Sequence, residues 1–121
     1  MLSNDLCVYV CSSLLYAGTG AWESALTNTL SPGDKILTFR LGQFSLLWVD
    51  QMQRLNFDVD VVDVEWGYGI DLGVLRQKLQ ADTGHKIKAV CAVHNETATG
   101  VTNDLAGIRT ILGAFLSRLV W

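Results

Sequence analysis

Proline, positive charge and charged side chains in general are all scarce in this chain of 121 residues. A single proline among eleven glycines excludes collagen-like and proline-rich sequences. Nine Lys and Arg against twelve Asp and Glu give a net charge of −3, which argues against a protein that binds nucleic acid through a basic face. No apolar run approaches the ~20 residues that span a bilayer. With 50% hydrophobic and 17% charged residues, the chain is expected to fold as one domain or part of one.

Metal-binding and secretory patterns are missing as well. Three cysteines, Cys7, Cys11 and Cys91, are not spaced as a zinc site, and we expect reduced thiols. The acidic residues 58, 60 and 63 are interpreted as solvating a strand edge rather than binding metal. Residues 6–16 are apolar but have no basic segment before them, so we do not expect a signal peptide.

Strand-like and helix-like patterns alternate along the chain, which predicts an α/β layer with a parallel sheet. Residues 6–16 fit either a buried strand or a short helix, since periodicity alone does not decide. The remaining pattern predicts helices at 22–30, 43–55, 71–81 and from 103 onward, and strands at 35–39, 57–64 and 87–93. Asp71 is the expected N-cap of its helix.

Gly18-Thr19-Gly20 forms the first segment with recognisable chemistry. The residues stand directly ahead of the predicted helix at 22–30, where unpaired N–H groups and glycine backbone favour an anion such as a phosphate. An ordinary turn is the alternative. Glu23 occupies the third glycine position of a dinucleotide-binding fingerprint, and no Gly-Lys-Ser/Thr follows, so neither nucleotide motif is present.

Residues 94–100, His-Asn-Glu-Thr-Ala-Thr-Gly, form the second such segment. They follow the predicted buried strand at 87–93, and in open α/β sheets ligands bind beyond the carboxyl ends of strands. A satisfied polar loop is the alternative interpretation. His94 by itself is more often structural than catalytic, and His85 is predicted to lie in a surface loop.

The segments 18–34, 42–48 and 93–101 together closely resemble the serine–glyoxylate and alanine–glyoxylate aminotransferases. These are class V members of the fold-type I enzymes that use pyridoxal 5'-phosphate. The resemblance implies an α/β fold, part of a three-layer, parallel-sheet large domain that is truncated here. It divides the chain into an atypical N-terminal segment (1–16), a fragment of the cofactor-binding domain (17–112) and a divergent tail (113–121).

The resemblance also assigns residues. Gly18, Thr19 and Gly20 match the loop that holds the cofactor phosphate. Phe44 matches the aromatic residue that stacks on the pyridine ring, and Thr97 matches a hydroxyl residue that hydrogen-bonds the cofactor. Glu96 is expected to order its loop rather than to react.

Departures from the family lead us to expect a catalytically incomplete chain. Ala17 stands where relatives supply a hydroxyl, and no Schiff-base lysine, pyridine-nitrogen aspartate or substrate-binding C-terminal domain is found. Lys35, Lys78, Lys86 and Lys88 all fit surface positions. The alternative is a non-catalytic fragment that binds cofactor phosphate or pairs with subunits, because full-length relatives are homodimers; Trp48 and Trp66 are then candidate interface residues.

The resemblance implies small-molecule substrates, an amino acid and glyoxylate, and neither nucleic acid nor membrane as a partner. It also implies a peroxisomal location in a plant or other eukaryote and a cytoplasmic one in a bacterium. Ser117-Arg118-Leu119 resembles a peroxisomal tripeptide, but two residues follow it, so no functional targeting signal is predicted.

Overall fold

A computed structural model of the chain describes residues 18–115. The elements in chain order are α1 (Gly18–Thr29), β1 (Lys35–Arg40), α2 (Gln43–Arg54), β2 (Asp58–Asp63), α3 (Leu72–Ala81), β3 (Ile87–Cys91), β4 (Asn95–Glu96), β5 (Val101–Thr102) and α4 (Leu105–Phe115). The segment 6–16, with Cys7 and Cys11, lies outside the described residues, as does the tail from 116.

Three parallel strands form the main sheet in the order β2-β1-β3. The central strand β1 pairs with β2 from Lys35 opposite Asp58 onward, and with β3 on its other side. Because parallel neighbours need crossover connections, α2 and α3 link the strands, and the sheet is covered on both faces. The predicted α/β architecture with a parallel sheet is therefore confirmed.

Alternate residues of β1 pack into two separate cores, one on each face of the sheet. Leu37 and Phe39 point to a cluster with α3 and α4, which includes Leu75 and Leu112. Ile36 points to the opposite cluster with α1 and α2, whose members include Leu26, Trp48 and Met52. The period-2 alternation of a strand thus produces a helix–sheet–helix sandwich of three layers.

The sequence-based prediction placed the start of the first helix four residues too late and missed one pair of strands. Gly18, Thr19 and Gly20 are the first turn of α1, not a loop ahead of it. Glycine's low helix propensity is outweighed there by tertiary contact, since the Gln51 side chain donates a hydrogen bond to the Thr19 carbonyl (2.9 Å). The expected loop at 94–100 lies within a short hairpin, in which Asn95 pairs with Thr102 and Glu96 with Val101.

Candidate functional site

Three connections meet at the carboxyl edge of the main sheet. They follow β1 at Leu41 and Gly42, β2 at residues 64–71, and β3 at the hairpin of β4 and β5. Parallel strands end at one common edge, so chemistry carried by these connections is brought to the same place. This edge is the candidate site.

The N-terminus of α2 lies at this edge and is capped by a residue from the hairpin. Gly42, at the N-cap position, has no side chain with which to accept the helix's first N–H groups. The Glu96 carboxylate accepts them instead, from the Phe44 N–H at 3.2 Å and the Ser45 N–H at 3.0 Å. Glu96 is fully buried, and the positive end of the helix dipole favours a carboxylate there.

Ser45 completes the connection between β1 and α2. Its hydroxyl oxygen accepts hydrogen bonds from the backbone N–H groups of Leu41 (2.9 Å) and Gly42 (3.0 Å). The hydroxyl proton is within reach of the Gly42 carbonyl at 3.0 Å and of Glu96 Oε2 at 3.2 Å. Buried polar atoms of four residues are therefore hydrogen-bonded to one another.

Glycine is required at position 42 because Glu96 occupies the space of a side chain. A Cβ atom added at Gly42 collides with Cγ and Cδ of Glu96 and comes within 2.8 Å of its Oε2. The first turn of α2 and the hairpin are consequently in direct contact. Glu96 thus has the structural role expected of it, and this role includes the helix as well as its own loop.

Asn103 fixes the base of the hairpin. Its amide nitrogen donates to the Val93 carbonyl (2.6 Å), while its amide oxygen accepts from the Ile70 N–H (2.8 Å). The Asn103 backbone N–H donates to the carbonyl of His94 (2.8 Å). One buried amide therefore joins the connection after β2 to the connection after β3.

Phe44 and Thr97, both predicted from the family resemblance, lie on the two segments that Glu96 joins. The Phe44 side chain is 42% exposed at the start of α2, although it is a large apolar ring. Thr97 directly follows Glu96 at the tip of the hairpin and is exposed. An exposed aromatic face and an exposed hydroxyl on neighbouring rigid segments are the kind of groups that hold a planar, polar ligand.

Gly18, Thr19 and Gly20 lie at the start of α1, where Thr19 is exposed. Their connection to α2 is through Gln51, two turns beyond Phe44. No hydrogen bond among residues 18–115 joins this segment to Phe44 or Thr97. The first-turn N–H groups and the Thr19 hydroxyl suit an anion chemically, but the described hydrogen bonds link only the two segments that carry Phe44 and Thr97.

Gly42, Ser45 and Asn103 contribute to the site but were not singled out from the sequence. Gly42 and Ser45 did leave a signal, since a hydroxyl residue three positions after an N-cap can bind back to the cap's N–H. Asn103 left none, because its partners Val93 and Ile70 are distant in sequence.

The two candidate interface tryptophans have different environments. Trp48 is buried and stacks on Trp22 with the ring centroids 5.3 Å apart, so its assignment to an interface is wrong. It was misassigned because its partner lies on another helix. Trp66 is 54% exposed in the connection after β2, and Tyr68 beside it is 64% exposed.

All four lysines lie away from the carboxyl edge. Lys35 is the first residue of β1, Lys86 precedes β3, and Lys88 is its second residue. Lys78, on α3, makes an ion pair with Asp60 at 3.0 Å. Three of the four, with Asp60, line one shallow cavity at the amino edge of the sheet. Lys86 and Lys88 are exposed, as predicted, whereas Lys35 and Lys78 are half-buried.

Cys91 is a free cysteine on β3 and is buried. Burial raises the pKa of the Cys91 thiol to about 12, which leaves almost no thiolate to act as a nucleophile near neutral pH. Residues 18–115 contain no cluster of three or more His, Cys, Asp or Glu side chains placed to hold a metal ion. Among these residues no helix has the length and apolarity to cross a membrane.

Comparison with known proteins gives a consistent family match. Residues 16–115 match the model of the family described as aminotransferase class-V. A serine–glyoxylate aminotransferase of Arabidopsis thaliana is 68% identical over 95 residues, which are 78% of this chain and 24% of the relative. The enzyme of the same name from Hyphomicrobium methylovorum is 56% identical over 98 residues, covering 81% of this chain and 24% of the relative.

A solved structure agrees with these matches. The alanine–glyoxylate aminotransferase of Nostoc sp. superposes with a TM-score of 0.74 at 32% identity, over 85% of this chain and 26% of its own. The chain therefore spans about a quarter of the length of the relatives that it matches.

Proposed function

Because the chain belongs to the class-V aminotransferase family, we propose that it forms part of the cofactor-binding large domain of an enzyme that transfers an amino group from serine or alanine to glyoxylate. The observation that carries the proposal is that the buried carboxylate of Glu96, the residue before Thr97, accepts the backbone N–H of Phe44. The similarity to two serine–glyoxylate aminotransferases supports these substrates.

The groups at the carboxyl edge fit pyridoxal 5'-phosphate, the family's cofactor. The exposed ring of Phe44 provides a face for the pyridine ring, and the Thr97 hydroxyl provides a hydrogen bond to one of its polar substituents. The first turn of α1, which the described contacts do not join to this edge, is proposed from the family resemblance to provide N–H groups for the phosphate through Gly18, Thr19 and Gly20. When bound, the cofactor supplies a conjugated ring that delocalises negative charge developing on the amino acid substrate.

The 121 residues by themselves are proposed to bind the cofactor without catalysing transamination. Chemistry of this class needs a lysine amine beside the cofactor's aldehyde carbon. The four lysines lie near the amino edge or on α3, whereas Phe44 and Thr97 lie at the carboxyl edge. The lysine is therefore expected to come from residues that this chain does not contain.

Subunit association is the second candidate function, and it is favoured by exposed aromatic residues. Trp66 and Tyr68 leave most of their surface uncovered in the connection after β2, at the same edge as the site. Large exposed apolar side chains often mark protein interfaces. We propose that a second subunit of the same enzyme covers them, as in the homodimer that the family resemblance implies.

Binding is tested with 4-deoxypyridoxine 5'-phosphate, which lacks the aldehyde and cannot react with lysines. Titration of the wild-type chain, followed by tryptophan fluorescence, is expected to saturate, and deoxypyridoxine without the phosphate is expected to bind more weakly. Phe44→Leu is expected to weaken binding roughly three- to tenfold by removing the stacking ring. Leu47→Ala is the matched control, because Leu47 lies on the same helix with the same 42% exposure. Equal binding with and without the phosphate, or equal losses in both variants, contradicts the proposed site.

Catalytic incompleteness is tested separately. The chain is incubated with pyridoxal 5'-phosphate, reduced with borohydride and mapped by mass spectrometry, and turnover is measured with serine or alanine and glyoxylate. We expect scattered low-level modification of the lysines and no turnover. One stoichiometrically modified lysine together with amino transfer refutes this part of the proposal and leaves the cofactor site standing.

A further inference from the structure

Glu96 contacts the two candidate ligand-binding segments at once. Its side chain accepts hydrogen bonds from Phe44 and Ser45 at the start of α2. Its backbone carbonyl accepts them from the N–H groups of Thr99 (3.2 Å) and Gly100 (2.8 Å), which close the tip of the hairpin around Thr97. A single buried residue therefore holds both segments.

The capping of α2 from outside the helix is more costly to arrange than a local cap. Ser, Thr, Asp or Asn at position 42 is the usual way to satisfy the N–H groups at the start of a helix. The chain has glycine there, and the space is filled by a carboxylate from a residue 51 positions away from Ser45. A local cap satisfies the N–H groups of α2 but makes no connection between the helix and the hairpin.

We propose that Glu96 is a positioning residue, whose carboxylate fixes the spacing between the Phe44 ring and the Thr97 hydroxyl. The inference rests on the proposed function only in taking these two groups as contacts for the cofactor. Glu96 itself is fully buried beneath the site, so it acts through Phe44 and Thr97. Gly42 is part of the same arrangement, because the Cβ atom of any larger residue displaces the Glu96 carboxylate.

A pair of variants separates positioning from simple helix capping. Glu96→Ala removes the cap and the connection to α2 together. In the double variant Gly42→Ser/Glu96→Ala the carboxylate is gone, so the introduced serine has room and accepts from the N–H of Ser45 as an ordinary N-cap. The double variant thus restores the cap of α2 without restoring the connection between helix and hairpin.

Thermal unfolding measures the capping role. We expect Glu96→Ala to lower Tm by roughly 5–10 °C and the double variant to regain most of that loss. Gly42→Ser alone is expected to be destabilising, because the introduced side chain collides with Glu96. Glu65→Gln is the control, since Glu65 is an exposed carboxylate at the same edge, and its Tm is expected to be that of the wild type.

Positioning is measured by ligand affinity and by amide exchange at residues 99 and 100, which a restored cap is not expected to recover, whereas exchange at Phe44 and Ser45 reports the cap itself. Affinity for 4-deoxypyridoxine 5'-phosphate is expected to fall about tenfold in Glu96→Ala and to stay low in the double variant. Amide hydrogen exchange at Phe44 and Ser45 is expected to accelerate in Glu96→Ala and to slow again in the double variant. Exchange at residues 99 and 100 is expected to remain roughly tenfold faster in both. Glu96→Gln keeps the shape of the side chain but has only one accepting oxygen. Its ligand affinity and its exchange rates are expected to lie between those of the wild type and those of Glu96→Ala.

Recovery of slow exchange at residues 99 and 100 in the double variant overturns the proposal, because Glu96 is then a cap and nothing more. Recovered affinity overturns it as well. If the wild-type chain binds no ligand at all, the proposed cofactor site fails. The exchange measurements still decide whether Glu96 couples the hairpin to α2, so the two failures are distinguishable.

Discussion

Cys91 should make the stability of this protein fall at alkaline pH. Its thiol is fully buried on β3, and burial raises its pKa from 9.0 to about 12. The folded state thus keeps the proton, while the unfolded chain releases it above pH 9. The contribution of the protonated Cys91 thiol to the free energy of unfolding is complete below pH 9. It is lost as the pH rises toward 12, by about 1.4 kcal/mol per pH unit. Between pH 7 and pH 10 the loss of stability from this one thiol is on the order of 1 kcal/mol.

Urea unfolding at pH 7, 8, 9 and 10 under reducing conditions measures this effect by comparison with Cys91→Ala. The substitution changes the stability at every pH by removing buried volume, so the informative quantity is the difference in slope with pH. Cys7 and Cys11 are present in both proteins, and their titration cancels in that difference. We expect the difference in unfolding free energy between wild type and variant to shift by on the order of 1 kcal/mol against the wild type from pH 7 to pH 10. Parallel pH profiles refute the reasoning and mean that the thiol is accessible to water in the folded state.

The remaining predictions concern two glycines of α4 and the N-cap of α3, the two helices that cover one face of the sheet. All are measured by urea or thermal unfolding. Gly107→Ala is expected to destabilise by about 1–3 kcal/mol, since the added Cβ lies 2.6 Å from Leu72 Cδ1 and 2.5 Å from Asp104 Oδ2. Gly113→Ala on the same helix meets nothing within 4 Å and is expected to stabilise by about 0.5–1 kcal/mol; equal effects of the two substitutions contradict close packing of α3 and α4. Asp71→Ala is expected to cost about 1 kcal/mol by removing the N-cap that accepts from Gly73 and Val74, and an unchanged Tm shows that the cap is not used.

Local sequence signals predicted most of the elements. The apolar run at 87–93 predicted a strand covered on both faces, and β3 is buried at four of its five positions. Asp71 predicted the start of α3, because its side chain competes for N–H groups only two and three residues away. These elements could be predicted because the residues that cause them lie close together in the sequence.

The errors came from contacts between elements. Gly18, Thr19 and Gly20 were expected to be a loop on propensity, but they are helical where Gln51 of α2 holds the first turn. Trp48 was expected at an interface because an exposed and a buried tryptophan look alike in sequence; its stacking on Trp22 depends on how α1 and α2 pack. The predicted ligand roles of Gly18, Thr19, Gly20, Phe44 and Thr97 stay predictions.

By itself the sequence determined the fold class, the order of the helices and of the three strands of the main sheet, and the family resemblance through its short polar and glycine-containing segments. Each of these depends on residue type and spacing along the chain. The tertiary structure alone decided that Glu96 caps a helix 51 residues earlier, that Gly42 must be glycine, and that the four lysines lie away from Phe44 and Thr97. Those outcomes depend on which strand ends meet at one edge of the sheet and on how closely two backbones approach. Both are set by contacts between residues far apart in sequence, so local patterns do not predict them.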